Sequence, residues 1–231
     1  MTDTHPARHP ARSTAHAARA LAAALAGSAL TLSGCNIVAP IAMIVSPPPT
    51  YPARLTLDPN LPTLIFVDDR SSRLPRAAMR QAIAEEAQSI LLKEEKLKNV
   101  IDCRAAYVVT SRDRADDVTP LVDLGKAVQA RVIVYVSIDR FTLSEDGHQL
   151  APIVAMRTKV LDVEKEPDPR VWPPDPKGVP VSATMKVSTR EVPKAGADLY
   201  AAQNAAAKQA GKAIAQLFYT HRVDQSAAEG R

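Results

Sequence analysis

The 231-residue chain is poor in most of the side chains that chemistry needs. It has two cysteines, five histidines and eight glycines, and aromatics make up 4% of it. Three of the histidines, His5, His9 and His16, lie in the first 16 residues, which leaves His148 and His221 for the rest. There is no His-x-x-x-His pair and no Cys–His pairing, so metal-assisted or nucleophilic catalysis has no visible basis. No glycine-rich phosphate loop is present. No apolar run reaches the ~20 residues that a membrane-spanning helix requires. These absences predict a protein that is not an enzyme, with no cofactor, no metal site and no small-molecule substrate.

What is present begins at the N-terminus. Arg8, Arg12 and Arg19 form a basic stretch, and Ala20 to Leu32 is almost entirely Ala and Leu. This is the layout of a signal segment, too short to cross a bilayer. It closes on Leu32-Ser33-Gly34-Cys35. All four positions resemble the lipobox of bacterial lipoproteins. The resemblance implies cleavage between Gly34 and Cys35, lipid modification of Cys35 and attachment to a membrane through it. Asn36, where inner-membrane retention favours Asp, leans toward the outer membrane, facing the periplasm. One acyl chain alone holds only marginally, at ~0.8 kcal/mol per buried methylene, so several chains make the anchor stable.

Removing residues 1–34 leaves 197 of the 231 residues. The leader carries three of the 29 Lys and Arg and one of the 25 Asp and Glu, so the remainder holds 26 against 24, a net charge of +2. That balance gives no case for nucleic-acid binding, which wants a clustered basic face. Residues 35–53 read as a tether: an apolar part, then Pro47-Pro48-Pro49-Thr50-Tyr51-Pro52, which favours a semi-rigid extended spacer. Residues 54–223 read as one domain and 224–231 as a disordered tail. Beyond Cys35 only Cys103 remains, so no internal disulfide can form, and a buried, inert thiol is expected.

Leu61 to Val67 is a nearly continuous apolar run, as in a strand covered on both faces. From Leu74 to about Lys98, Met79, Ile83, Ala87, Ile90 and Leu91 recur at helical spacing. A second strand is expected at Ala105–Thr110. Thr119-Pro120 offers a capping hydroxyl and then proline at the first helical position, and the helix it opens ends near Ala130. Val132 to Ile138 is the strongest strand. Glu145-Asp146-Gly147-His148 supplies turn chemistry, and Pro152 to Glu164 returns as a strand. Val181 to Val192 alternates, with Val181, Ala183, Met185 and Val187 inward, so one face is covered and the other wet. Lys194 to His221 is the last helix. The order strand, helix, strand, helix, strand, strand, strand, helix defines an α/β (α+β) fold. About five strands form a mixed sheet, with three helices packed on it.

This order, with Leu124-Gly125-Lys126-Ala127-Val128-Gln129-Ala130-Arg131 running into Val132-Ile133-Val134-Tyr135, resembles envelope proteins built on the domain of the TolB amino terminus. The CsgG and LpoB lipoproteins are similar, and Lys159-Val160-Leu161-Asp162 matches their hairpin strand. The resemblance spans Leu61 to Thr220. It implies a fold and an envelope setting, and it carries no functional residues across.

Asp68 and Asp69 read as solvated strand-end charges. Asp113, Asp116 and Asp117 alternate with Arg112 and Arg114 and lack calcium-loop spacing. His221 falls at a helix end, where positive charge is favoured. Trp172, the only tryptophan, is the candidate contact residue; the other reading has it folding back to cap the core. The functional reading is a non-enzymatic binding or scaffold module for another envelope protein. The alternative is an oligomeric subunit of a curli-type secretion or assembly complex, against which the low aromatic content argues, since a lipid-facing barrel wants aromatic girdles.

Overall fold

The computed structural model describes residues 50–114, 117–185 and 188–222. The chain divides into two units, Met1–Pro48 and Pro49–Arg231, and the described residues all belong to the second. The leader, Gly34 and Cys35, the tether up to Pro49, Asp116 and the 224–231 tail lie outside the described residues.

The domain opens on β1 (Thr50–Tyr51) and then β2 (Thr63–Asp68), which is buried along its whole length. A tight loop follows, in which the Asp69 carboxylate accepts from the backbone N–H of Arg73 at 2.7 Å and of Leu74 at 2.9 Å. Helix α1 (Ala78–Lys93) buries Met79, Ile83, Ala84, Ala87 and Leu91, the face its spacing predicts. Glu95, in the left-handed region at φ 55, stops it, and Lys96 N–H closes back on the Leu91 carbonyl at 2.8 Å.

The second strand is not Ala105–Thr110. It is β3 (Val100–Ile101), and the expected strand is helix α2 (Cys103–Thr110). Asp102 caps this helix by accepting from Arg104 N–H at 2.9 Å. Cys103 and Ala106 are buried and Val108 is exposed, which is helical and not alternating burial. Cys103 is buried as expected.

Helix α3 (Leu121–Ala127) is capped by Pro120 without a side-chain bond. The Thr119 hydroxyl, expected as its cap, donates to Asp113 Oδ1 at 2.6 Å instead. Gly125 lets α3 lie on the sheet, since a Cβ there would come within 2.4 Å of Val163 Cγ2 and 2.9 Å of Ile133 Cδ1.

The long hairpin pairs β4 (Val132–Thr142) with β6 (Ile153–Asp162), and β5 (Gln149–Leu150) lies in its loop. β7 (Arg170–Trp172) and β8 (Val179–Thr184) both pair with β6. The single strand expected over Val181–Val192 is therefore two. β6 begins at Ile153, the partner of Thr184, so nothing of β6 remains to pair beyond it. β9 (Ser188–Glu191) pairs with β5 instead. Helix α4 (Gly196–Ala215) ends earlier than expected because the chain turns to give the Leu217 carbonyl to Arg54 N–H at 2.8 Å. His221 is consequently not at a helix end. It lies in β10 (His221–Arg222), antiparallel to β1, with its ring 5.7 Å from that of Tyr51.

The main sheet has six strands in the order β3-β2-β4-β6, with β7 and β8 beyond, and two-stranded pairings β1-β10 and β5-β9 stand beside it. β2, β3 and β4 run parallel and the later strands antiparallel. This is a mixed α/β (α+β) sheet as expected, with four helices among the described residues. α1 and α4 pack together over the face that buries Val134, Val136, Val154, Met156 and Val181. α2 and α3 reach the opposite face, through Tyr107 against Phe66 at 5.6 Å and Gly125 against Ile133. Farther along that face Ser137, Arg157 and Lys159 stay partly open and Ser182 is exposed, the wet side that the alternation of β8 predicts.

Candidate functional site

In the order β3-β2-β4 the chain leaves β2 on one side and returns to it on the other. That reversal opens a crevice beyond the carboxyl ends of β2 and β4, where ligands of open α/β sheets bind. A cleft of about 420 Å³ lies at this end, lined by Phe66, Asp68, Arg70, Arg80, Arg114 and Val118 among others.

The register of the sheet builds its floor. Phe66 is paired with Tyr135, and their rings stand 6.3 Å apart. Tyr135 donates its hydroxyl to Asp68 Oδ2 at 2.8 Å, and Arg70 Nε lies 3.0 Å from the same oxygen. Asp68 is only 6% exposed, so it is not the solvated strand-end charge its position suggested. Burial next to a compensating guanidinium and a hydroxyl donor is how a carboxylate is held inside a protein. Burial first, and the Asp68 charge second, push the Tyr135 phenol well above its ordinary value. It stays a protonated donor.

Arg80 comes from α1 and spreads over the Tyr107 ring at 4.9 Å from its centroid. Tyr107 is fixed in turn by its hydroxyl, which donates to the Val67 carbonyl at 3.2 Å. Burial raises this phenol too, with the neighbouring Cys103 adding to the effect. Asp113, on the other wall, accepts from Thr119. Among the described residues Arg70 is paired with Asp68, Asp113 accepts from a neutral hydroxyl, and neither Arg80 nor Arg114 forms an ion pair.

Other residues singled out in the sequence fall elsewhere. Trp172 is half-buried on β7, edge-on to Phe218 at 6.5 Å, and the neighbouring Val171 is exposed. His148 follows a turn in which Asp146 accepts from the N–H groups of Gln149 and His148 and from Ser144 Oγ. Those bonds hold the Asp146 carboxyl down at about 2. Burial raises the Cys103 thiol to about 11. Among the described residues no three His, Cys, Asp or Glu side chains are grouped to hold a metal, and no helix is long and apolar enough to cross a membrane. The pairing of Asp68 with Tyr135 could not be seen in sequence, since 67 residues separate them. The one available signal was an acidic residue ending a fully apolar strand.

No family model and no curated protein matches this chain. Solved structures are similar to it. Lipoprotein GNA1162 from Neisseria meningitidis is 11% identical over 61% of this chain and 90% of its own, with a TM-score of 0.39. The PelC dodecamer from Paraburkholderia phytofirmans is 11% identical over 74% of this chain and 90% of its own, with a TM-score of 0.36. The LpoB C-terminal domain from Salmonella enterica is 13% identical over 57% of this chain and 85% of its own, with a TM-score of 0.33. Likeness at this level transfers no role and no residue.

Proposed function

We propose that this chain is an envelope lipoprotein, anchored through Cys35 on the periplasmic face of the outer membrane, whose domain is a non-enzymatic binding or scaffold module for another envelope protein. The lipobox pattern supports the anchor. The observation that carries the binding reading is that the first described residues of the domain and its cleft lie at opposite poles of the sheet. β1 pairs with β10, and Arg54 N–H bonds the Leu217 carbonyl just beyond the end of α4. α4 runs parallel to α1: Arg76, just before α1, has its Nε 2.6 Å from Gln203 Oε1, and further along both helices Gly211 meets Ile83 and Ala87. α1 begins after the carboxyl end of β2 and returns to its start, where Thr63 N–H bonds the Asn99 carbonyl at 3.0 Å. The described chain therefore begins, at Thr50, at the strand-start pole, and the cleft opens at the strand-end pole.

The anchor is tested with Cys35→Ala, which is expected to leave the membrane fraction and to lose the acyl mass; a variant still membrane-bound and unshifted in mass overturns it. The binding reading is tested by pull-down from crosslinked envelopes, where a specific protein partner is expected. Recovery of none sinks it. A ring of many subunits by native mass in mild detergent would instead favour the assembly-subunit alternative.

A further inference from the structure

We propose that the cleft at the carboxyl ends of β2 and β4 is a binding site for a small organic anion, a carboxylate or phosphate monoester on a compact apolar body, with Arg80 as its main anion contact. The charge is the first argument. Asp68 is engaged by Arg70 and the Tyr135 hydroxyl, and Asp113 by the Thr119 hydroxyl. Three guanidiniums, Arg70, Arg80 and Arg114, face the two carboxylates Asp68 and Asp113, so the lining carries one net positive charge, and with Arg70 committed to Asp68 the sign it selects is negative.

The second argument is preorganisation. Arg80 is laid flat on Tyr107, whose own position is set by Phe66 and by the Val67 carbonyl. A guanidinium held by its face keeps its N–H edge free for a planar, two-pronged bond to an oxyanion. Its donors are aimed before a ligand arrives, which spares the ordering cost of binding. The third argument is shape. A volume of about 420 Å³ is of small-molecule size, and Val118 supplies an apolar wall beside the charged one, over a floor where Phe66 is only 2% exposed. Inorganic phosphate would leave that wall unused. The position is independent support, because it lies at the reversal point of the parallel strands. This site stands whether or not the domain also binds a protein partner.

The experiment uses the full chain in mild detergent and titrates phenyl phosphate, benzoate and inorganic phosphate calorimetrically. Saturable binding of an aryl anion, tighter than inorganic phosphate and weakened by added salt, is expected. Arg80→Ala should weaken it on the order of tenfold or more, the loss of a charge-assisted fork. Arg80→Lys, which keeps the charge and loses the fork, should weaken it less, and Arg112→Ala, outside the cleft lining, should not change it. Circular dichroism of each variant confirms folding. No saturable binding of either aryl anion, or equal binding by wild type and a folded Arg80→Ala, overturns the proposal. So does Arg80-dependent binding confined to phosphatidylglycerol vesicles, which would make the ligand a membrane surface.

Discussion

Thr158 has no exposed surface in the middle of β6, and its Oγ1 finds no hydrogen-bond partner among the described residues. It faces the α1–α4 side of the sheet, in register with Val136 on one neighbour and Val179 on the other. An unpaired hydroxyl in such a place costs about 1–3 kcal/mol in desolvation. Valine has nearly the same shape without that cost. Thr158→Val should therefore raise stability by roughly 1 kcal/mol, read as a higher urea midpoint at unchanged slope; a lower midpoint would show that the hydroxyl is satisfied. Asp68 is the opposite case. It is as polar and nearly as buried, yet two groups compensate it, so the fold can keep a carboxylate there for use.

The pairing of α1 with α4 depends on the absence of a side chain at Gly211. A Cβ there would stand 2.6 Å from the Ile83 carbonyl oxygen, 2.7 Å from Glu86 Cβ and 3.0 Å from Ala87 N. Two of these three are backbone atoms and cannot rotate away. Alanine is favoured over glycine by about 1 kcal/mol inside a helix, but overpacking costs about 1–3 kcal/mol when the neighbours are rigid. The difference is about 0–2 kcal/mol, so Gly211→Ala should lower stability by up to about 2 kcal/mol in urea unfolding, and a stabilised variant would mean that the helices separate freely. The α1 face was legible in sequence because Met79, Ile83, Ala87 and Leu91 repeat at the helical period, and β2 and β4 because continuous apolar runs suit strands with both faces covered. α2 was not legible as a helix. Ala105-Ala106-Tyr107-Val108-Val109 satisfies either period over so short a length, and what decides is the Asp102 cap and the burial of Cys103 with Ala106. The cleft was less legible still. It is made by strand order, which brings Tyr135 beside Phe66 and Asp68, and strand order is a property of no single segment.

Over the whole molecule, three protonated groups sit around α2 and the strand ends: the Cys103 thiol and the Tyr107 and Tyr135 phenols. Burial is the leading cause of the rise in all three. A folded-state value above the unfolded one means that the fold holds the proton more tightly than the open chain does. The stability from these groups is then complete below the unfolded values, 9.0 for the thiol and 10.0 for the phenols, and declines as pH rises past them. For Cys103 the decline runs from 9.0 to about 11. The midpoint of thermal unfolding should be flat near neutral pH with respect to these groups and fall steadily above about 9. In Cys103→Ala the whole curve should drop for the lost packing, but its alkaline fall should begin nearer 10.0, where the phenols take over. A wild-type midpoint that holds to 10.0 and falls only from there, as in the variant, would mean that the thiol titrates freely and that α2 opens to solvent. Because Tyr107 carries Arg80, an opening of α2 would also release the guanidinium that the anion site needs. The alkaline loss of stability and any alkaline loss of aryl-anion binding should therefore track one another.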